Sequence, residues 1–324
     1  MLPVARARES SFTFEEDGSM TQRILMFLAL FVSSIAATSA ASYKDGFEAY
    51  SRGDYPQALE ILQPLAASGD MYAQHSLGVM YENGRGVKLD YSKAFSWYYA
   101  AAEQGLMPAQ NNIGSMYSKG LGVKQNYIDA AKWYRLAADH GLSIAQFNLA
   151  VAYVKGQGVG KNYALAHKWH HLAAQQNWAD SQNNLGWMYE NGQGVTKDYG
   201  IAIQWYRLAA NQGNPTAQVN LGAKYDSGQG VLQSYTEAAK WYRLAAKQSD
   251  PKAQNNLGTM YERGQGVSQD RVRAYMWIYL SAEAGMADAA KNIGELNKII
   301  SSSQKREAIE MAATCFKNRF ENCD

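Results

Sequence analysis

Apolar positions along this chain repeat on two scales. At short range Ala73, Leu77 and Tyr81 sit four residues apart and share one face of a helix. Ala94, Trp97 and Ala101 form the apolar stripe of a second helix. The polar, glycine-bearing stretch between them, with Gly84 and Gly86, ends the first helix, because glycine takes the left-handed cap conformation without penalty. At long range the whole pattern returns every 36 residues. The unit is therefore helix, glycine turn, antiparallel helix, and its regular recurrence means stacked units rather than one closed globule.

The 36-residue beat is carried by a Leu-Gly or Ile-Gly pair whose glycines are Gly78, Gly114, Gly186, Gly222, Gly258 and Gly294, with Ala150 in the remaining slot. Gly within a helix costs roughly 1 kcal/mol against Ala, so its return in almost every unit points to close helix packing. Tyr81 and its equivalents follow three residues later, then the glycine pairs, a Val, the Trp column from Trp97 to Trp277, and a closing Ala-Ala pair such as Ala101-Ala102. The second helix is expected to end at Gly105, Gly141 or Gly213 in most units.

Residues 73–87 and 253–267 read almost completely as A-Q-x-x-L-G-x-M-Y-x-x-G-x-G-V, and 94–105 continues as A-x-x-W-Y-x-x-A-A-x-Q-G. This resembles the Sel1-like repeat family, a relative of the tetratricopeptide repeat, over about residues 55–290. The resemblance implies an all-α, right-handed solenoid of antiparallel helix pairs. Departures are local: Ala150 for Gly, Asn177 and Ser249 for the terminal Gly, and His170 for Tyr. The expected division is a degenerate N-terminal capping repeat at 42–68, six repeats at 69–290, and C-terminal capping helices at 291–324.

Charge and ends narrow the function. A net charge of +2, with no lysine or arginine run, gives no electrostatic footprint for nucleic acid. Met20–Arg23 is short and basic, Ile24–Ile35 is apolar, and small residues Ala36–Ser42 follow. That is the layout of a secretory signal at 20–41, with processing near Ala40 or Ala41 and no stable membrane insertion afterwards. The apolar run is short of the about 20 residues a span needs, and an uncleaved anchor is the alternative. Residues 1–19 are polar and unlike the region ahead of a signal, so Met20 is the expected start and 1–19 an over-extended N-terminus. The two cysteines, Cys315 and Cys323, form a disulfide in an exported chain or else stay as two free thiols. Eight residues of continuous helix span about 12 Å, and a disulfide needs its Cα atoms within about 7 Å. The last helix must then stop near Asn318–Asn322.

No set of residues assembles an enzyme. Gly156-Gln-Gly158-Val-Gly160-Lys161 has the wrong spacing for a phosphate loop, and its glycines are those of the repeat. His167, His170 and His171 have helical spacing that suits a metal, but His170 stands in the column of Tyr134 and Tyr206, and His171 in that of Arg135 and Arg207. Cysteine-rich relatives in the family have been described as β-lactamases. Ser249-Asp-Pro-Lys252 and Ser302-Ser-Gln-Lys305 fit S-x-x-K, without the S-D-N or K-T-G that the mechanism requires. The expectation is no catalytic residue, no cofactor and no metal, with a cell-wall or β-lactam hydrolase as the alternative.

One polar column points to binding. The residue before each Leu-Gly pair is Ser76, then Asn112, Asn148, Asn184, Asn220, Asn256 and Asn292. Asn is a mediocre helix former, and its amide matches the C=O and N–H of an extended peptide. Tetratricopeptide relatives use such an asparagine ladder on their concave face, which is what the resemblance implies here. The alternative is that each Asn bonds within its own repeat and fixes the helix angle. Neighbouring slots vary: His75, Asn111, Phe147, Asn183, Val219, Asn255 on one side and Val79, Ser115, Val151, Trp187, Ala223, Thr259 on the other. Phe147, Val151 and Trp187 make this face most apolar in the third and fourth units, where aromatic anchors for a protein or peptide partner are expected. The whole reads as a monomeric, periplasmic or secreted interaction scaffold.

Overall fold

The computed structural model describes residues 41–321 and 323, which hold sixteen helices and no strand. The expected N-terminal overhang and the signal segment through residue 40 lie outside the described residues. Helices α1 (Tyr43–Ser51) and α2 (Tyr55–Ala67) make an N-terminal pair. Six pairs follow: α3 (Met71–Asn83) with α4 (Tyr91–Glu103), α5 (Met107–Lys119) with α6 (Tyr127–Asp139), and α7 (Ser143–Lys155) with α8 (Tyr163–Gln175). The array continues through α9 (Ala179–Asn191) and α10 (Tyr199–Asn211), α11 (Pro215–Ser227) and α12 (Tyr235–Ala246), and α13 (Pro251–Arg263) and α14 (Arg271–Glu283). From α1 through α14 each helix packs on its neighbours in the chain, so the chain order is the spatial order of a solenoid.

Local chemistry starts each second helix at the same place. Asp54, Asp90, Asn126, Asn162, Asp198, Ser234 and Asp270 each accept an N–H of the first turn. Such a cap stabilises a helix by about 1 kcal/mol. First helices end on a left-handed glycine, as at Gly156 (φ 69°). The second glycine of each pair does a different job: a β carbon on Gly158 would come within 1.8 Å of the Tyr127 carbonyl oxygen. The turn therefore rests directly on the preceding unit's second helix. Asn177 (φ 62°) and Ser249 (φ 66°) occupy the terminal glycine slots in the same left-handed region.

The core corrects the expected stripe. Ala94 and Ala101 are fully buried, but the aromatic between them is Tyr98, not Trp97. Trp97 is half-buried and packs against a cluster that joins Leu62 of the preceding pair to Leu77 and Met80 of its own unit. The helix glycine lies under the Tyr98 column. A β carbon on Gly78 would sit 2.5 Å from Tyr98 Cδ1, and on Gly186 2.5 Å from Tyr206 Cδ1. The close approach expected at these glycines is thus to a ring of the unit's own second helix.

The C-terminal end departs from the beat. Helices α15 (Ala287–Leu296) and α16 (Ser302–Lys317) both pack on α14, and neither uses the other as its main partner. Nothing lies within 4 Å of a β carbon placed on Gly294, so this last glycine, expected to continue the pattern, receives no ring. The turn after α15 has no glycine pair, and α16 swings back across α14. It stops at Lys317, Arg319 and Phe320 take positive φ, and the returning tail joins Cys323 to Cys315 with Cα atoms 5.0 Å apart.

Candidate interaction face and the polar ladders

Asn112, Asn148, Asn184, Asn220 and Asn256 each lie beside a fully buried Leu or Ile, Asn292 lies beside the half-buried Ile293, and all six reach back to the preceding unit. Asn148 Nδ2 donates to Asn111 Oδ1 (2.9 Å), Asn220 to Asn183 (3.0 Å) and Asn292 to Asn255 (2.9 Å), while Asn112 Nδ2 meets His75 Nε2 at 3.2 Å. Where the preceding slot is apolar, at Phe147 and Val219, the Asn turns to a ring on the second helix instead. Asn184 Nδ2 lies 3.3 Å from His170 Nε2, and Asn256 bonds the Tyr242 hydroxyl. The amide nitrogen is therefore spent between units, rather than within one unit as the structural alternative supposed. These bonds leave the Asn side-chain carbonyls unused, and the variable neighbours lie beside them in sequence. Asn148 and Val151 line a shallow cavity of about 100 Å³ with Tyr134 and Lys155. Trp187 is 40% exposed, and Phe147 is half-buried with its ring 6.2 Å from that of Trp178.

A second ladder escaped the sequence reading, although its glutamine is part of the repeat motif. Gln74, Gln110, Gln146, Gln182, Gln218 and Gln254 are buried, and each donates to a carbonyl at the end of the preceding second helix, as Gln182 does to Ala174 O (3.2 Å). In four units its Oε1 accepts from the glutamine that closes the same unit: Gln104, Gln176, Gln212 and Gln248. His140 replaces that donor in the second unit, leaving Gln110 Oε1 buried without a partner. The only signal available was a polar residue beside a fully apolar stripe.

Two of the tyrosines under the glycines carry their hydroxyls to carboxylates on the first helix. Tyr98 donates to Glu82 Oε2 and Tyr206 to Glu190 Oε2, each at 2.6 Å. Burial, then the bonded carboxylate, pushes both phenols well above their ordinary range. Glu190 also pairs with the ammonium of Lys224, a buried lysine in a column otherwise held by Met or Ala. Lys224 gains a second acceptor in Gln229 Oε1 at 2.9 Å, so the charge is satisfied between the fourth and fifth units.

The histidines separate rather than converge. His170 is buried, with Nδ1 3.1 Å from Ser181 Oγ and Nε2 facing Asn184. Burial, with His167 nearby, pushes it down to about 3, so it stays neutral. The His167 and His171 rings lie tilted 6.0 Å apart and meet Tyr189 and Trp205 edge-on instead. Among the described residues no group of three His, Cys, Asp or Glu is placed to hold a metal. Gly156 and Gly158 are turn residues, Ser249 is in a turn, and Lys305 donates to Asn297 Oδ1 at 3.0 Å.

A one-dimensional stack of helix pairs, joined by glycine turns and inter-unit amide bonds, defines the class of tetratricopeptide-like solenoids. The Sel1 repeat model matches residues 72–106, 108–142, 143–178, 179–214, 215–250 and 251–286, and the chain belongs to the Sel1 repeat family. Proteins of this family are generally protein-interaction scaffolds. The chain is similar to a Sel1 repeat protein from Oxalobacter formigenes, with 32% identity, a TM-score of 0.70, and coverage of 75% of this chain and 97% of that one. It is also similar to a protective antigen of uropathogenic Escherichia coli strains, with 33% identity, a TM-score of 0.60, and coverage of 90% and 72%. No curated protein matches the chain.

Proposed function

We propose that this protein is an exported scaffold, periplasmic or secreted and monomeric, that holds a partner peptide or domain along its first-helix face. One observation carries the reading: residues flanking the constant Asn column change from unit to unit, and they leave Trp187 exposed one unit on from the half-buried Val151 and Phe147. A constant column sets the spacing of the units; a variable, partly apolar neighbourhood is where affinity and choice of partner can be written. The remaining Asn acceptors at Asn112, Asn148, Asn184, Asn220 and Asn256 serve the partner's backbone N–H groups. The likeness to a protective antigen favours a role at the bacterial surface or in host contact over one in envelope signalling. No helix among the described residues is long and apolar enough to cross a membrane.

Because the Asn amides also join units, their removal tests stability as much as binding. Trp187→Ala is the cleaner probe. A photo-crosslinking residue at position 151, used in the native envelope, should capture a discrete partner. Trp187→Ala should weaken that partner's binding about tenfold, a hot-spot loss of about 1.4 kcal/mol, with the melting point unchanged. Capture that is indifferent to Trp187 would remove this face from consideration. Nitrocefin turnover by the purified protein would instead support the hydrolase alternative.

A further inference from the structure

A cavity lies not on the groove but at the C-terminal end. It lies between α14 and α16, has a volume of about 500 Å³, and is walled by Leu280, Ile309, Ala312, Phe316 and Phe320. That volume is within the range of ordinary small-molecule sites, about 300–1,000 Å³. Its walls come from the departure from the repeat: α16 packs on α14 instead of pairing with α15.

The floor of this cavity holds an unanswered acceptor. Gln254 is 2% exposed and donates through Nε2 to Ala246 O at 3.3 Å. In the units that keep the closing glutamine, the equivalent Oε1 receives that residue's amide, at 2.6 Å from Gln212 to Gln182 and 2.8 Å from Gln104 to Gln74. The sixth unit has Ala284 in that place, and Ala284 lines the same cavity. The second unit also lost its donor, but there Gln110 Oε1 is sealed off. Only at Gln254 does the missing donor coincide with room for a ligand. At the rim stand Ser249, Tyr279 and Glu283, the last accepting the Tyr279 hydroxyl. The polar end of the cavity is thus rich in acceptors and negatively charged.

We infer that the α14–α16 cavity is a binding site for a small apolar amine, whose N–H donates to Gln254 Oε1 in the place of the missing glutamine while its body fills the space beside Ile309 and Phe316. The carboxylate of Glu283 selects neutral or cationic ligands and repels anions. This assignment is independent of the groove and of any partner bound there.

N-phenyl-1-naphthylamine, a neutral fluorescent amine of suitable size, is the probe. Added to the full chain, it should give saturable enhancement at one site. Ala284→Gln restores the glutamine of the other units, closing the acceptor and filling the floor, and should weaken the probe at least tenfold while the melting point holds or rises. Ala313→Trp should do the same by volume alone, with helical circular dichroism unchanged. The anionic analogue 8-anilinonaphthalene-1-sulfonate should bind at least tenfold more weakly than the neutral probe, and Glu283→Gln should narrow that gap. An absence of saturable binding, or equal binding by the wild type and both filled variants, overturns the site. A preference for the anion overturns the ligand class.

Discussion

The third and fourth units differ at the one contact on which the repeat is built. In the fourth, Gly186 lies under Tyr206, whose hydroxyl reaches Glu190. In the third, Ala150 takes the glycine's place, His170 the tyrosine's and Val154 the acceptor's, and on the adjoining first helix of the fourth unit Ser181 stands where the other units have Ala. Read along the sequence, these are scattered departures. In space they form one exchange: a methyl added on the first helix, a smaller ring opposite, no hydroxyl and so no carboxylate, and a serine to bond the imidazole. The comparison teaches that the repeat conserves a packing volume and a satisfied polar group rather than particular residues.

The largest test forces one unit to wear half of the other's contact. Gly186→Ala puts a β carbon 2.5 Å from Tyr206 Cδ1 and should cost about 3 kcal/mol by overpacking. Adding Tyr206→His should recover a good part of that loss, as a shift of the urea midpoint toward wild type. If Gly186→Ala alone is tolerated, the exchange is not a coupled one.

Acid should separate the two units next. His170 is held near 3 against an ordinary value of 6.5, so the unfolded chain binds the proton more readily. Its neutral form therefore contributes stability fully above pH 6.5, and that contribution is lost as pH falls from 6.5 toward 3. The slope is up to about 1.4 kcal/mol per pH unit. A variant given the second unit's set, with Ala150→Gly, Val154→Ser, His170→Tyr and Ser181→Ala, should lose this component. The difference between the two proteins' midpoints across pH 7 to 4.5 reads it directly.

The smallest effect comes from the glutamine ladder. His140→Gln returns a donor to Gln110 Oε1, as Gln176 provides for Gln146, and should stabilise by about 1 kcal/mol. A destabilised His140→Gln would show that the ladder's second bond is incidental.

Helix pairs, turns and the antiparallel unit were legible because they rest on local rules: period, glycine caps and length. The choice of Tyr98 over Trp97 for the core was not legible, because both residues lie near the Ala94–Ala101 face and only the helix glycine decides between them. Nor was the backward reach of the Asn column, since spacing alone cannot say whether an amide faces a groove or a neighbour. The C-terminal departure was half visible. The missing glycine pair after Gly294 is in the sequence, but the crossing of α16 over α14 depends on tertiary packing.

The direction of the ladders has a consequence for how the molecule is made. The first-helix Asn and Gln amides donate to residues nearer the N-terminus: Asn148 to Asn111, Asn220 to Asn183, Gln182 to Ala174. A chain that emerges N-terminus first therefore brings each new unit to acceptors that already exist, and no finished unit waits on a later one for these bonds.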